Sequence, residues 1–287
     1  MRIGIGIPNT MLDVDGDTFP AWAKRAEKRG FSTLATIGRI AYPSYDELVT
    51  FGACASVTER IGLLTNVLLA PLYPTAHLAK TSASLDRISE GRLTLGLAVG
   101  GRPDDYDLMG QEFETRGRRF DRQLEQLHDA WAGTPLLGSD LPVSPATVNG
   151  RIPIMFGGSP SVAARRAVRW HGGYTIGGAP PEQATGMVKE FRATYTELGG
   201  RGEPQIVALQ YFSLGDEHTE ESLRNLRAYY AWLGDWTEGI AQGAARSVDD
   251  LKARQASYAA MGVDEFIWDP SVPSIDQVDR LADAVLA

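Results

Sequence analysis

The sequence holds a single cysteine, Cys54, in 287 residues, so no internal disulfide framework holds the chain together. Cys54 falls in the apolar stretch Phe51–Val57 and reads as buried packing rather than as a nucleophile. Histidine is scarce too. His77, His128, His171 and His218 are scattered, with no Cys/His cluster and no HExxH spacing, so no metal centre is expected. The nucleophile elbow, phosphate-loop and kinase signatures are missing. No apolar run approaches the roughly 20 residues that span a bilayer. Met1–Pro8 is too short and too interrupted by glycine for a signal peptide, so a cytoplasmic protein is expected. Positive charge is also limited. Lys and Arg number 28 against 36 Asp and Glu, and the net charge of −8 argues against nucleic acid or an anionic membrane as partner. Carboxylates are plentiful, but Asp104, Asp105 and Asp107 read as a solvated loop face. With few acid–base candidates, the chemistry is expected to reside in a bound cofactor.

What the chain does have is alternation. Strand-like runs at Ile3–Ile7, Thr33–Ile37, Ile61–Leu69, Leu93–Val99, Ile154–Phe156, Gly173–Ile176, Ile206–Leu214 and Glu265–Trp268 are separated by helical patterns such as Phe19–Lys28, Tyr45–Val57 and Phe120–Trp131. Strands apolar throughout suit a parallel sheet covered on both faces. Eight such units in this length predict a single α/β domain over 1–287, a (β/α)₈ TIM barrel. A doubly wound open sheet would carry a Gly-rich turn after its first strand, where this chain has Pro8-Asn9-Thr10. Two connections are long: a Pro- and Gly-containing loop at Gly133–Arg151, and a helical, aromatic excursion at Asp216–Val248. The excursion either roofs a pocket at the catalytic face or packs over the barrel end.

The most pointed local signal is Ile154–Arg165. A short apolar run ends in Gly157-Gly158, then Ser159 suits an N-cap and Pro160 a first helical position. Backbone N–H groups and the positive end of a helix dipole would converge there, which favours a phosphate. An ordinary strand-to-helix turn is the alternative.

The segments Arg60–Pro71 (RIGLLTNVLLAP) and Lys80–Gly96 (KTSASLDRISEGRLTLG) resemble the bacterial luciferase-like family. The similarity continues through Gly100-Gly101-Arg102, Asp105-Tyr106, Met109-Gly110, Phe113 and Arg118-Arg119-Phe120. It resumes at Pro153–Arg166, Tyr229–Gly234 and Asp276–Leu281. That family comprises flavin-dependent monooxygenases and coenzyme F420-dependent oxidoreductases on a (β/α)₈ barrel. The resemblance implies a ring bound across the carboxyl ends of the strands and a non-prolyl cis peptide at the end of the third strand, here within Leu68-Leu69-Ala70. It implies that Thr65 and Asn66 meet the polar edge of the ring, with Asn66 as a catalytic candidate. Val99, Gly100 and Gly101 would flank the cofactor, and Gly157, Gly158 and Ser159 would hold its phosphate, with Arg102 or Arg165 as neutralising charges. Where relatives often carry an acid or histidine after the second strand, this chain has Gly38-Arg39. Arg39 cannot act as a base near neutral pH and is instead a candidate for stabilising negative charge. The resemblance therefore implies an oxidoreductase using reduced FMN and O₂ on a small organic substrate, with a separate flavin reductase. The alternatives are hydride transfer with coenzyme F420 and a non-catalytic binding barrel. A homodimer is expected, with an apolar helix such as Tyr45–Val57 as contact.

Overall fold

The computed structural model describes residues 1–286. Eight parallel strands close into a ring in sequence order. They are β1 (Arg2–Gly6), β2 (Thr33–Thr36), β3 (Gly62–Leu69), β4 (Leu93–Ala98), β5 (Ile154–Phe156), β6 (Gly173–Ile176), β7 (Ile206–Phe212) and β8 (Glu265–Pro270). The helices on the outside are α1 (Thr18–Arg29), α2 (Glu47–Ala55), α3 (Thr75–Ile88), α4 (Pro103–Leu108), α5 (Arg116–Trp131), α6 (Pro160–Trp170) and α7 (Pro181–Glu197). The series ends with α8 (Thr219–Tyr230), α9 (Trp236–Gln242), α10 (Val248–Ala260) and α11 (Asp276–Val285). The fold is the (β/α)₈ barrel that the alternating pattern predicts.

Alternation along each strand sorts the side chains. Ile3, Ile5, Leu63, Leu93, Leu95 and Leu97 join the large core packed under the helices. Ala35, Leu64, Met155, Val207, Leu209 and Ile267 form a separate apolar cluster, the filling of the ring itself, so the barrel is a packed core rather than a pore. At its amino-terminal end, buried Glu265 accepts hydrogen bonds from Arg2, Ser32 and Thr33. That cluster ties β1, β2 and β8 together at the face away from the catalytic end of such barrels.

One expectation changes here. Asp104, Asp105 and Asp107 lie on α4 rather than in a loop, and Asp105 is fully buried. Pro103 opens this short helix at a position where its missing N–H costs nothing. The segment 133–151 carries no helix or strand, and the 216–248 excursion contains α8 and α9. No helix among the described residues is long and apolar enough to cross a membrane.

Candidate functional site at the carboxyl end of the barrel

The carboxyl ends of β2, β3, β4, β6 and β7 surround a chamber of about 160 Å³. Its floor is β3. The Asn66–Val67 peptide is cis, and the pairing of β3 with β4 shifts register between Thr65 and Leu68. The cis bond therefore falls two residues before the expected Leu68-Leu69-Ala70. Asn66, Val67 and Leu69 all line the chamber. Thr65 does not line it; its hydroxyl donates to the Gly96 carbonyl, 2.9 Å away. Leu68 also points away, into the core between strands and helices.

Asn66 is the polar centre of the floor. It is 7% exposed, its Oδ1 accepts a hydrogen bond from the Thr175 hydroxyl, and its Nδ2 is buried without a partner. An unpartnered buried donor costs about 1–3 kcal/mol, so the site is built to be completed by an acceptor. Gly100-Gly101 after β4 and Gly177-Gly178 after β6 form rims on either side of β5. They present backbone, not side chains, to whatever enters. Val99 is half-buried beside the first rim, its carbonyl accepting from the Tyr106 hydroxyl.

Tyrosines cover the chamber. Tyr211 on β7 and Tyr230 on α8 are joined hydroxyl to hydroxyl at 2.6 Å. Burial raises both phenols, that of Tyr230 to about 12, so near neutrality they act as hydrogen-bonding groups and not as bases. Tyr229 donates from its hydroxyl to the Gly38 carbonyl at 3.2 Å. Asp269, at the end of β8, completes the buried polar set. Its Oδ1 has no partner and lies 1.7 Å from where a Cβ on Gly6 would stand, so only glycine fits there. Burial raises this carboxyl well above its usual range, because desolvation disfavours its charged form.

The rim between β2 and β4 is held by ion pairs. Asp105 takes Arg102 Nε at 2.7 Å on one oxygen and the backbone N–H groups of Ile40 and Ala41 at 2.9 and 2.7 Å on the other. Arg102 also donates to the Gly38 carbonyl and lies over the rings of Tyr229 and Trp232. Arg39 pairs with Asp104 at 2.7 Å and donates to the Tyr229 carbonyl at 3.3 Å. Arg102 and Arg39 thus both bond within the protein, although the buried Arg39 Nε has no hydrogen-bond partner, and Arg165 is exposed on α6. Behind Gly38 sits buried Glu47, an Oε1 lying 1.2 Å from the place a Cβ would take. Desolvation chiefly, with a smaller contribution from Asp46 and Asp105, lifts its carboxyl to about 7.

The Gly157–Ser159 turn lies at the end of β5, between the two glycine rims. Gly157 donates its N–H to the Leu97 carbonyl at 2.9 Å, and a Cβ there would stand 3.1 Å from Val67. Gly158 adopts φ +104° and faces open space. Ser159 occupies the N-cap of α6, as expected, but its side chain makes no capping hydrogen bond, its Oγ lying 3.5 Å from that of Ser161. Pro160 has no N–H, and the Ser161 and Val162 N–H groups are among those a helix start leaves without intrahelical partners.

The sequence matches the family model for luciferase-like monooxygenases over residues 3–279. The chain belongs to the luciferase-like family. It is therefore an oxidoreductase enzyme. It is 29% identical over 223 residues to an uncharacterized protein of Mycobacterium tuberculosis, covering 67% of this chain and 77% of the relative. Among solved structures, the monooxygenase RslO1 from Streptomyces bottropensis superposes with a TM-score of 0.82 at 20% identity, covering 100% of this chain and 99% of that one. An F420-dependent secondary alcohol dehydrogenase, in complex with an F420-acetone adduct, gives 0.78 at 16% identity, covering 99% and 98%. At such identities the likeness speaks for the fold.

Within this luciferase-like barrel, the structure gathers Asn66, Leu69, Gly100 and Gly101 at one chamber and sets Gly157, Gly158 and Ser159 beside it. Gly177-Gly178, Tyr211 and Asp269 are missed by sequence reasoning, whereas Tyr230 lies in the aromatic excursion expected either to roof a pocket or to pack over the barrel end. The paired glycines after β6 repeat the pattern after β4 and β5, and Asp269 is an acid closing an apolar strand, so each left a signal.

Proposed function

We propose that the protein holds reduced FMN at this mouth and oxygenates a small organic substrate with O₂. The observation that carries the reading is the unpartnered Asn66 Nδ2 in a glycine-rimmed chamber on the catalytic face. At about 160 Å³ the chamber is smaller than the roughly 300–1,000 Å³ of typical ligand sites, so it suits the polar edge of a flat ring whose remainder extends outward. When bound, reduced FMN would supply the electrons that activate O₂. The chain's share is orientation and shielding. Asn66 would donate to a ring oxygen or nitrogen, Val67 and Leu69 would pack on the ring, and Tyr211 with Tyr230 would keep water out. Gly158, Ser159 and the first turn of α6 would face the phosphate. Coenzyme F420, a deazaflavin with a similar ring and a phosphate, is the second reading, favoured by the likeness to the F420-dependent alcohol dehydrogenase.

Fluorescence titration with FMN and F420 side by side, then turnover with and without oxygen, tests the choice. Under the first reading, FMN binds more tightly and product forms only in air. Gly158→Asp is expected to weaken cofactor binding about tenfold by setting a carboxylate against the phosphate. Gly158→Asn, of the same shape and the same backbone burden, is expected to stay within about twofold of the wild type. Equal losses in both variants would remove the phosphate from this turn.

A further inference from the structure

A second cavity, a groove of about 1000 Å³, adjoins the chamber and shares Gly177, Gly178 and Tyr211 with it. The start of α7 and one face each of α9 and α10 form its walls. Its body is apolar, with Met187, Leu233, Trp236 and Ile240 on the lining, and Trp236 is 77% exposed. A tryptophan so exposed, facing a groove that runs to the reaction mouth, is a contact surface in want of a partner.

The charges of the groove decide what that partner is. Its lining carries one cation, Arg254, and one anion, Asp250. Arg254 donates Nε and Nη2 to the two oxygens of Asp250, each at 2.7 Å. Its Nη1 is committed to Gln210 Oε1 at 3.1 Å and the Gly243 carbonyl at 2.6 Å. Gln210 in turn donates to the Ala179 carbonyl and the Tyr258 hydroxyl. The start of α7 is blunted as an anion site. Pro180 and Pro181 have no N–H groups, and Glu182 stands in the first turn. Nothing in the groove is left to neutralise a charged ligand. A phosphate-bearing tail has no place here, whereas the β5 turn on the other side of Gly177-Gly178 leaves backbone donors free.

We infer that this groove binds the molecule to be oxidised, and that this molecule is uncharged and apolar, with a flat body lying against Trp236 and its reacting end at Gly177-Gly178. The inference rests on the reading that the chamber holds the redox ring. The groove supplies hydrophobic burial and water exclusion beside that ring, while selectivity against anions follows from the absence of an uncommitted cation.

Equilibrium dialysis of the full-length protein against 2-naphthol and naphthalene-2-sulfonate tests it, since the probes share rings and differ in charge. The neutral probe is expected to bind at least about tenfold more tightly than the sulfonate. Trp236→Ala, at a solvent-facing position, should weaken 2-naphthol by about tenfold, within the range for buried aromatic anchors. Gly239→Phe should abolish the binding, because the added side chain enters open space on the groove wall. FMN and F420 affinities are expected to stay within about twofold of wild type in both variants. Equal binding of the two probes, 2-naphthol binding unchanged in both variants, or a loss of cofactor affinity on either substitution would overturn the inference. Failure of wild-type protein to bind either cofactor would instead overturn the proposed function, whatever the probes do.

Discussion

Gly101→Phe is expected to reduce cofactor affinity by more than about a hundredfold, some 2.7 kcal/mol, while leaving the protein folded. Gly101 is exposed on the chamber rim, its backbone is not in the left-handed region, and no heavy atom lies within 4 Å of a Cβ built there. The added Cβ therefore meets no native neighbour, and a benzyl group entering the chamber takes up most of a space of about 160 Å³. Gly101→Ala, adding one methyl to the same open space, should bind within a few-fold of the wild type. Fluorescence titration measures the affinity and the thermal midpoint monitors the fold. Unaltered binding in the phenylalanine variant would show that the ring sits elsewhere. The contrast with Gly100 is useful: that residue adopts φ +72° and would crowd Leu69 at 3.0 Å, so substitutions there report strain rather than occupancy.

Glu47→Gln is expected to make stability less dependent on pH. The Glu47 carboxyl is fully buried and lifted from 4.5 to about 7, chiefly by desolvation. Below pH 4.5 it is protonated in both folded and unfolded chains and contributes no difference. As pH rises, the unfolded chain ionises first, binds fewer protons than the folded one, and is favoured. The loss grows through the window from 4.5 to about 7 and is constant above it. A shift of this size corresponds to about 3 kcal/mol. Denaturant unfolding of the two proteins should therefore coincide near pH 4 and diverge by about that amount at pH 8, the glutamine form being the more stable. A difference between them that does not vary with pH would show that ionisation of Glu47 is not its cause.

The barrel was legible because its strands are buried on both faces. β5 and β6 run over the residues their apolar patterns predict, Ile154–Phe156 and Gly173–Ile176. The glycine turns were legible for a related reason, since paired glycines after an apolar run are conspicuous. Asp105 was not. It looks like any acid in a charged cluster, and its burial is created by Arg102 together with Ile40 and Ala41, more than 60 residues away. Glu47 reads as the acidic start of a helix until Gly38 packs against it. Thr65 and Leu68 illustrate the finest limit. Which residues of β3 face the mouth depends on the register shift beside Asn66, and a string of apolar residues carries no mark of it.

Tyr229 is clamped at both its carbonyl and its hydroxyl, by Arg39 and by the Gly38 backbone, with Arg102 laid across its ring. That half of the canopy is an eave bolted to the wall. On the proposed reading, substrate reaches the ring by the groove under α9, so engineering what the enzyme accepts should start at that threshold and leave the eave alone.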